Sequence, residues 1–325
     1  MFMSLVLFAI GLVLLIYGGD WFVDGATGIA KRFRLPDIVV GATVVSIGTT
    51  LPEVMVSTTG ALQGSGAMAY GNAIGSIICN TSLIAAISIV CNPGPVNTKS
   101  MKTPAIFFYL ASAIYCLAAY GMGTFPRWLG FIMLSVFAVY MFLTVRNGLR
   151  NPDTAASEEA EGEEKERKLW QELLLLVGGA AVIAVGADLL VEHGQIIAIE
   201  LGVPETVVAL LFVALGTSLP ELVTTITSLK KGRASLGVGN VIGANVFNLV
   251  LVSGVSVTLA PFAVPAENTL LDTGLNLSLV LDIPVMLGVM ILMIAPALMK
   301  KKLSRWQGIV LLGIYVAFCV CQFTL

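Results

Sequence analysis

Two six-residue stretches place a carboxylate in the middle of a long apolar run: Gly48-Thr49-Thr50-Leu51-Pro52-Glu53 and Gly216-Thr217-Ser218-Leu219-Pro220-Glu221. An acid at the centre of a bilayer costs about 2.5–3.5 kcal/mol on insertion scales, so it persists only where a partner offsets that cost. Two such acids in matching contexts point to a bound cation. Proline lacks the amide hydrogen and crowds the carbonyl four residues back, so Pro52 should disturb its helix at Gly48 and Pro220 should do so at Gly216. Carbonyls near 46–49 and 214–217 are then free to turn inward. With the hydroxyls of Thr49, Thr50, Thr217 and Ser218 they complete an all-oxygen cage, the preference of hard ions such as Ca²⁺ or Na⁺ rather than of Zn²⁺ or Cu²⁺.

A second wall follows each stretch. Asn72, Ser76 and Asn80 are spaced four apart on one helical face, and Asn240, Ala244 and Asn248 repeat the spacing. Carboxamides in a membrane also serve as interhelical hydrogen-bond glue. Beside two buried glutamates, Asn80 and Asn248 read as ion ligands, while Asn72 and Asn240 fit either role. Gly71 with Gly75, and Gly239 with Gly243, have the small-xxx-small spacing that lets helix backbones approach closely.

The elements that must hold these residues are apolar and long. The chain has 325 residues, 57% hydrophobic and 12% charged, with a mean hydropathy of +0.93. A soluble domain carries about a quarter charged residues, so a water-soluble globular fold is excluded. Runs of about 20 apolar residues match the length of helix that crosses a bilayer. Spans are expected near 2–29, 36–62, 68–91, 104–121, 127–146, 169–200, 204–229, 234–260, 283–299 and 305–323, which makes an all-α polytopic membrane protein of ten transmembrane helices. Seventeen of the 18 Lys and Arg fall in alternate loops, with Arg127 alone on the other side. The positive-inside rule then places those loops in the cytoplasm and both termini outside. Residues 151–168, with seven acids between Asp153 and Glu166, read as a charged cytoplasmic linker.

Residues 36–83 match 204–251 at a constant offset of 168 without a gap, identical at 17 of 48 positions. An odd number of spans separates the copies, so they run in opposite senses through the membrane. The division is 1–150 as a first five-helix repeat and 169–325 as its inverted copy. Paired, Gly/Pro-interrupted spans of this kind point to a midplane site in secondary transporters. No basic face suits nucleic acid. The five cysteines read as apolar packers, His193, Asp20, Asp24, Asp188 and Glu192 as interfacial groups, and Asp282 as an N-cap before Ile283-Pro284.

GTTLPE with GNAIGSIICN, and GTSLPE with GNVIGANVFN, resemble the two α-repeats of the sodium/calcium exchanger branch of the calcium/cation antiporter superfamily. The resemblance implies four cation sites in a diamond between the second, third, seventh and eighth spans. It makes Glu53 and Glu221 central Ca²⁺ ligands, joined by the backbone carbonyls of Thr49 and Thr217. Sodium would meet Ser46, Thr49, Thr50, Ser76, Ala214, Thr217 and Ser218, with Asn80 and Asn248 flanking the centre. Two departures, Ala244 where some relatives have a hydroxyl and Asn248 where others have aspartate, make one side of the cage less negative. The cation/proton branch carries a glutamate shortly after its Gly-Asn pair, where this chain has Gly75 and Gly243.

The expected activity is exchange of Ca²⁺ for Na⁺ by alternating access, with the first and sixth spans moving across the core. Ca²⁺/H⁺ antiport through protonated glutamates is the alternative, and a passive cation channel is further off. No Ser/His, Cys/His or His-rich set suggests an enzyme. The expected partners are the transported ions and the lipid of a plasma membrane, the inner membrane in a bacterium, with no cofactor.

Overall fold

A computed structural model describes residues 2–150, 167–201, 216–265 and 275–324. The helices are α1 (Phe2–Phe33), α2 (Asp37–Leu62), α3 (Gly66–Cys91), α4 (Thr98–Met122), α5 (Arg127–Arg150), α6 (Leu169–Glu200), α7 (Leu219–Lys230), α8 (Ala234–Leu259), α9 (Ser278–Lys300) and α10 (Arg305–Thr324). Among the described residues, nine helices are long and apolar enough to cross a membrane. Helix α7 has 12 residues. Most of the 151–168 linker and the 202–215 stretch, including Ala214, lie outside the described residues.

The outer helices expose apolar side chains such as Phe2, Leu12, Val13, Ile16, Phe131 and Phe142. Continuous apolar exposure on this scale suits lipid rather than water as the surrounding solvent. At the centre stands α8, in which every residue from Leu236 to Phe247 is buried. It packs against α2, α3 and α7. Gly239 and Gly243 make that possible: a Cβ on the first would collide with the Ile38 carbonyl, and one on the second with the Ser46 hydroxyl and the Ala42 backbone.

Helices α1 and α6 run antiparallel, from Gly11 against Gly186 and Leu190 to Gly28 against Glu172. Gly18 lies on Ile183 and Gly179 on Phe22, with a Cβ at Gly179 only 2.5 Å from the Phe22 amide nitrogen. Such backbone contact is what small residues at a fixed spacing permit between membrane helices.

Two short antiparallel pairs link loops at the ends of the bundle. Strand β1 (Gly94–Pro95) pairs with β4 (Lys302–Leu303), and β2 (Thr124–Phe125) pairs with β3 (Phe262–Ala263). They join the α3–α4 loop to the α9–α10 loop, and the α4–α5 loop to the segment after α8.

Several boundaries differ from the sequence expectation. Helix α4 begins at Thr98 because the Asn97 side chain accepts from the amides of Lys99 and Ser100, and Pro104 lies inside the helix. Asp282 is not an N-cap: it closes a π-helical segment, Ser278–Asp282, and its carboxylate accepts from Gln322 at 2.7 Å. The disturbance expected at Gly48 is displaced, since α2 stays helical through Pro52 and its irregular turn is a π-helical segment at Gly41–Val45. One missing amide does not break a helix whose remaining bonds and packing persist. In the second copy the chain does turn at Thr217–Ser218, and α7 restarts at Leu219 with Pro220 in its first turn.

Candidate cation site

Glu53 of α2 and Glu221 of α7 are both 0% exposed, and none of their four carboxylate oxygens has a hydrogen-bond partner. The two acids lie close enough to interact electrostatically. Thr49 and Thr50 stand beside the Glu221 carboxylate without closing a hydrogen bond onto it. Buried charge without a partner is among the costliest arrangements in a protein, and a bound cation or a proton offsets it. Among the described residues, no cluster of three or more His, Cys, Asp or Glu exists.

The hydroxyls are held in a pattern that respects the repeat. Thr49 Oγ1 donates to Asn240 Oδ1 at 3.1 Å, and Thr217 Oγ1 donates to Asn72 Oδ1 at 3.2 Å. The two bonds are related by the offset of 168. Asn72 Nδ2 also donates to Ser57 Oγ at 2.8 Å and to the Glu53 carbonyl at 3.3 Å. Ser46 Oγ reaches the Asn240 carbonyl at 3.0 Å and the Gly41 carbonyl at 2.8 Å. The last contact, with that of the Tyr140 hydroxyl to the Ala42 carbonyl at 2.7 Å, satisfies acceptors in the π-helical segment of α2.

The wall asparagines therefore divide. Asn72 and Asn240 anchor the threonines of the facing helix. Asn80 and Asn248 are 0% exposed, and neither carboxamide has a partner on its oxygen or its nitrogen. Each of them also opens a π-helical segment, Asn80–Ala85 in α3 and Asn248–Val252 in α8. Such segments recur at functional sites because the widened turn leaves backbone groups free. Thr50 and Ser218 likewise keep unpartnered hydroxyls, and Ser76 is 3% exposed. Ala244, at 0% exposure, offers no oxygen where α3 has Ser76.

Sequence reasoning passed over Asn245, which is fully buried and donates to Thr81 Oγ1 at 2.7 Å. Its position beside Ala244 on a helix buried all round was the available signal, because a carboxamide there has no solvent to face. It stitches α8 to α3 and takes no part in the facing pair of glutamates.

A polytopic helical bundle with two unpaired carboxylates at its core is the build of a membrane transporter for cations. Comparison with known proteins narrows this. The sodium/calcium exchanger protein family matches residues 3–146 and 172–324. Among curated relatives, an uncharacterized membrane protein of Methanocaldococcus jannaschii is 33% identical, the match covering 95% of this chain and 94% of that one. A sodium/calcium exchanger of Methanosarcina acetivorans is 29% identical, with 97% of each chain covered. A solved structure of the sodium–calcium exchanger NCX_Mj, soaked with 2.5 mM Na⁺ and 10 mM Sr²⁺, superposes with a TM-score of 0.79 at 30% identity, over 100% of this chain and 99% of that one. The chain belongs to the sodium/calcium exchanger family and is a multi-pass membrane protein.

Proposed function

We propose that this protein exchanges Ca²⁺ for Na⁺ across a plasma membrane, the inner membrane in a bacterium, by alternating access at Glu53 and Glu221. The observation that carries the reading is the pair of fully buried carboxylates with four unpartnered oxygens. Two facing acids hold a charge near −2 that is costly to enclose bare in a low-dielectric interior. One Ca²⁺, or two or more Na⁺, neutralises it. Loaded forms can then change access while the bare form is trapped, which is obligatory exchange.

In this reading Glu53 and Glu221 hold Ca²⁺ with the carbonyls of Thr49 and Thr217. Sodium meets Ser46, Thr50, Ser76, Ala214 and Ser218 together with the two threonines, and Asn80 and Asn248 flank the centre. The unpartnered carboxamides of Asn80 and Asn248 support their inclusion. The hydrogen bonds Thr49–Asn240 and Thr217–Asn72, related by one offset, support two inverted five-helix repeats, 1–150 and 169–325, within a ten-helix chain. The backbone-close contact of α1 and α6 supports their moving as a pair. The sodium/calcium exchanger named among the relatives favours sodium over protons as the counter-ion.

The test is ⁴⁵Ca²⁺ uptake into proteoliposomes under imposed sodium, potassium or pH gradients. Uptake is expected to follow an outward sodium gradient, and Glu53→Gln and Glu221→Gln should each abolish it at normal protein levels, because either leaves one negative charge for a divalent ion. Uptake driven by a pH gradient alone would make the protein a proton antiporter. Conduction without any counter-ion gradient would make it a channel, and activity retained in both glutamine variants would remove the site.

A further inference from the structure

Below Glu221 the buried face of α7 continues polar. Thr224, Thr225 and Ser228 are 0%, 2% and 0% exposed, and none of their hydroxyls has a hydrogen-bond partner. Single buried helical hydroxyls without a partner occur elsewhere, as at Ser112, Thr144 and Ser256, but α7 gathers three on one helix with a carboxylate. Several helical Ser and Thr bond back instead to the carbonyl four residues earlier, as Thr43 does to Val39, Ser135 to Phe131 and Thr258 to Gly254, at 2.7–2.8 Å. Such back-bonding is the default for a hydroxyl in a helix with no better partner.

Helical geometry places the three hydroxyls with the glutamate. Val223 and Thr227 face α1, where a Cβ on Gly19 would meet both, and Thr225 touches Gly237 of α8. At 100° per residue, Glu221, Thr224, Thr225 and Ser228 then share the face turned away from α1, toward α8 and the second half of α3. Beyond Ser228 the helix ends at Lys231, whose ammonium pairs with Asp24 at 2.6 Å and Asp20 at 3.4 Å. Unpartnered hydroxyls thus run from the carboxylate toward the Lys230–Arg233 end of the helix.

The matching face of α2 lacks this file. At the offset of 168 its residues are Val56, Ser57 and Gly60, and the one hydroxyl among them is taken by Asn72. The feature is therefore a property of one side of the membrane and not a by-product of the repeat.

We propose that Thr224, Thr225 and Ser228 form a transit site for a partly dehydrated hard cation, sodium or calcium, between Glu221 and the water at the Lys230–Arg233 loop. The inference rests on Glu221 as part of the exchange site and on that loop being cytoplasmic. Three hydroxyl oxygens replace water ligands stepwise as the ion leaves the cage.

Two measurements on the full chain test it. In proteoliposomes, Thr224→Val/Ser228→Ala is expected to weaken the apparent calcium affinity of the Lys230–Arg233 side about tenfold, the value of one to two lost ligand contacts, while the affinity of the opposite side holds. Ser228→Cys is expected to react with a small charged thiol reagent from that side only, more slowly when Ca²⁺ is present, above the background of the five native cysteines. Unchanged affinity on that side, or no calcium-protected labelling, overturns the transit site. Wild-type flux in the same vesicles reads exchange separately, and the labelling does not depend on which counter-ion drives transport, so failure of the transit site and failure of the exchange reading give different results.

Discussion

Four asparagines stand at matched positions of α3 and α8, and their hydrogen bonding divides their roles. Asn72 and Asn240 are spent on threonines of the facing helix. Asn80 and Asn248 have nothing to bond. Asn248→Leu should therefore weaken calcium binding while the purified protein keeps its melting temperature to within a few degrees, since no hydrogen bond is lost. Asn240→Leu should do the reverse in emphasis, removing the carboxamide oxygen that accepts from Thr49 and lowering stability by about 1–3 kcal/mol for the hydroxyl left unpaired, while Ser46 keeps the Gly41 carbonyl. Calorimetric calcium titration beside thermal unfolding separates the two effects, and equal binding loss with equal destabilisation in both variants would defeat the division. This split was not legible in the sequence, where all four are Asn at equivalent spacing. It depends on which helix faces each one.

At the scale of elements, the pairing of α1 with α6 rests on glycine. Gly179→Leu would drive a side chain into the backbone of Phe22, because even a Cβ there lies 2.5 Å from its amide nitrogen. Overpacking of this kind costs about 1–3 kcal/mol, so thermal unfolding in detergent should drop measurably, and transport should fall with it. A variant as stable as wild type would show that the helices do not touch there. The apolar periods made most helices readable, and the repeat made the two motifs readable. The π-helical turns at Gly41–Val45, Asn80–Ala85 and Asn248–Val252 were not, because they depend on neighbours such as Tyr140 and Ser46 that satisfy displaced carbonyls from afar in sequence or across a turn. Proline gave the right disturbance in the second copy and the wrong place in the first, where helix packing holds the backbone through Pro52.

For the whole molecule, described ion pairs gather at one end. Arg32 meets Glu172 at 3.1 Å, Arg233 meets Asp37 at 3.1 Å, and Lys231 meets Asp20 and Asp24. They tie α1, α2, the start of α6 and the α7–α8 loop on the side that the basic loops assign to the cytoplasm. Single cysteines at Ser65 and Thr124 should then react with an impermeant reagent outside intact cells, and one at Lys302 should react only after permeabilisation, in a Cys91→Ser background. The opposite pattern would invert the orientation derived from charge.

The two short strand pairs set the order in which the chain can be completed. Residue 94 must wait for residue 303, and residue 124 for residue 263, so neither clasp can form within the first half of the protein. At synthesis speeds of about 5–20 residues per second, the loop after α3 stays open for about 10–40 s before its partner strand leaves the ribosome. The nascent first half therefore sits in the membrane as an unlatched frame, and it is the arrival of the last hairpin, between α9 and α10, that fastens it.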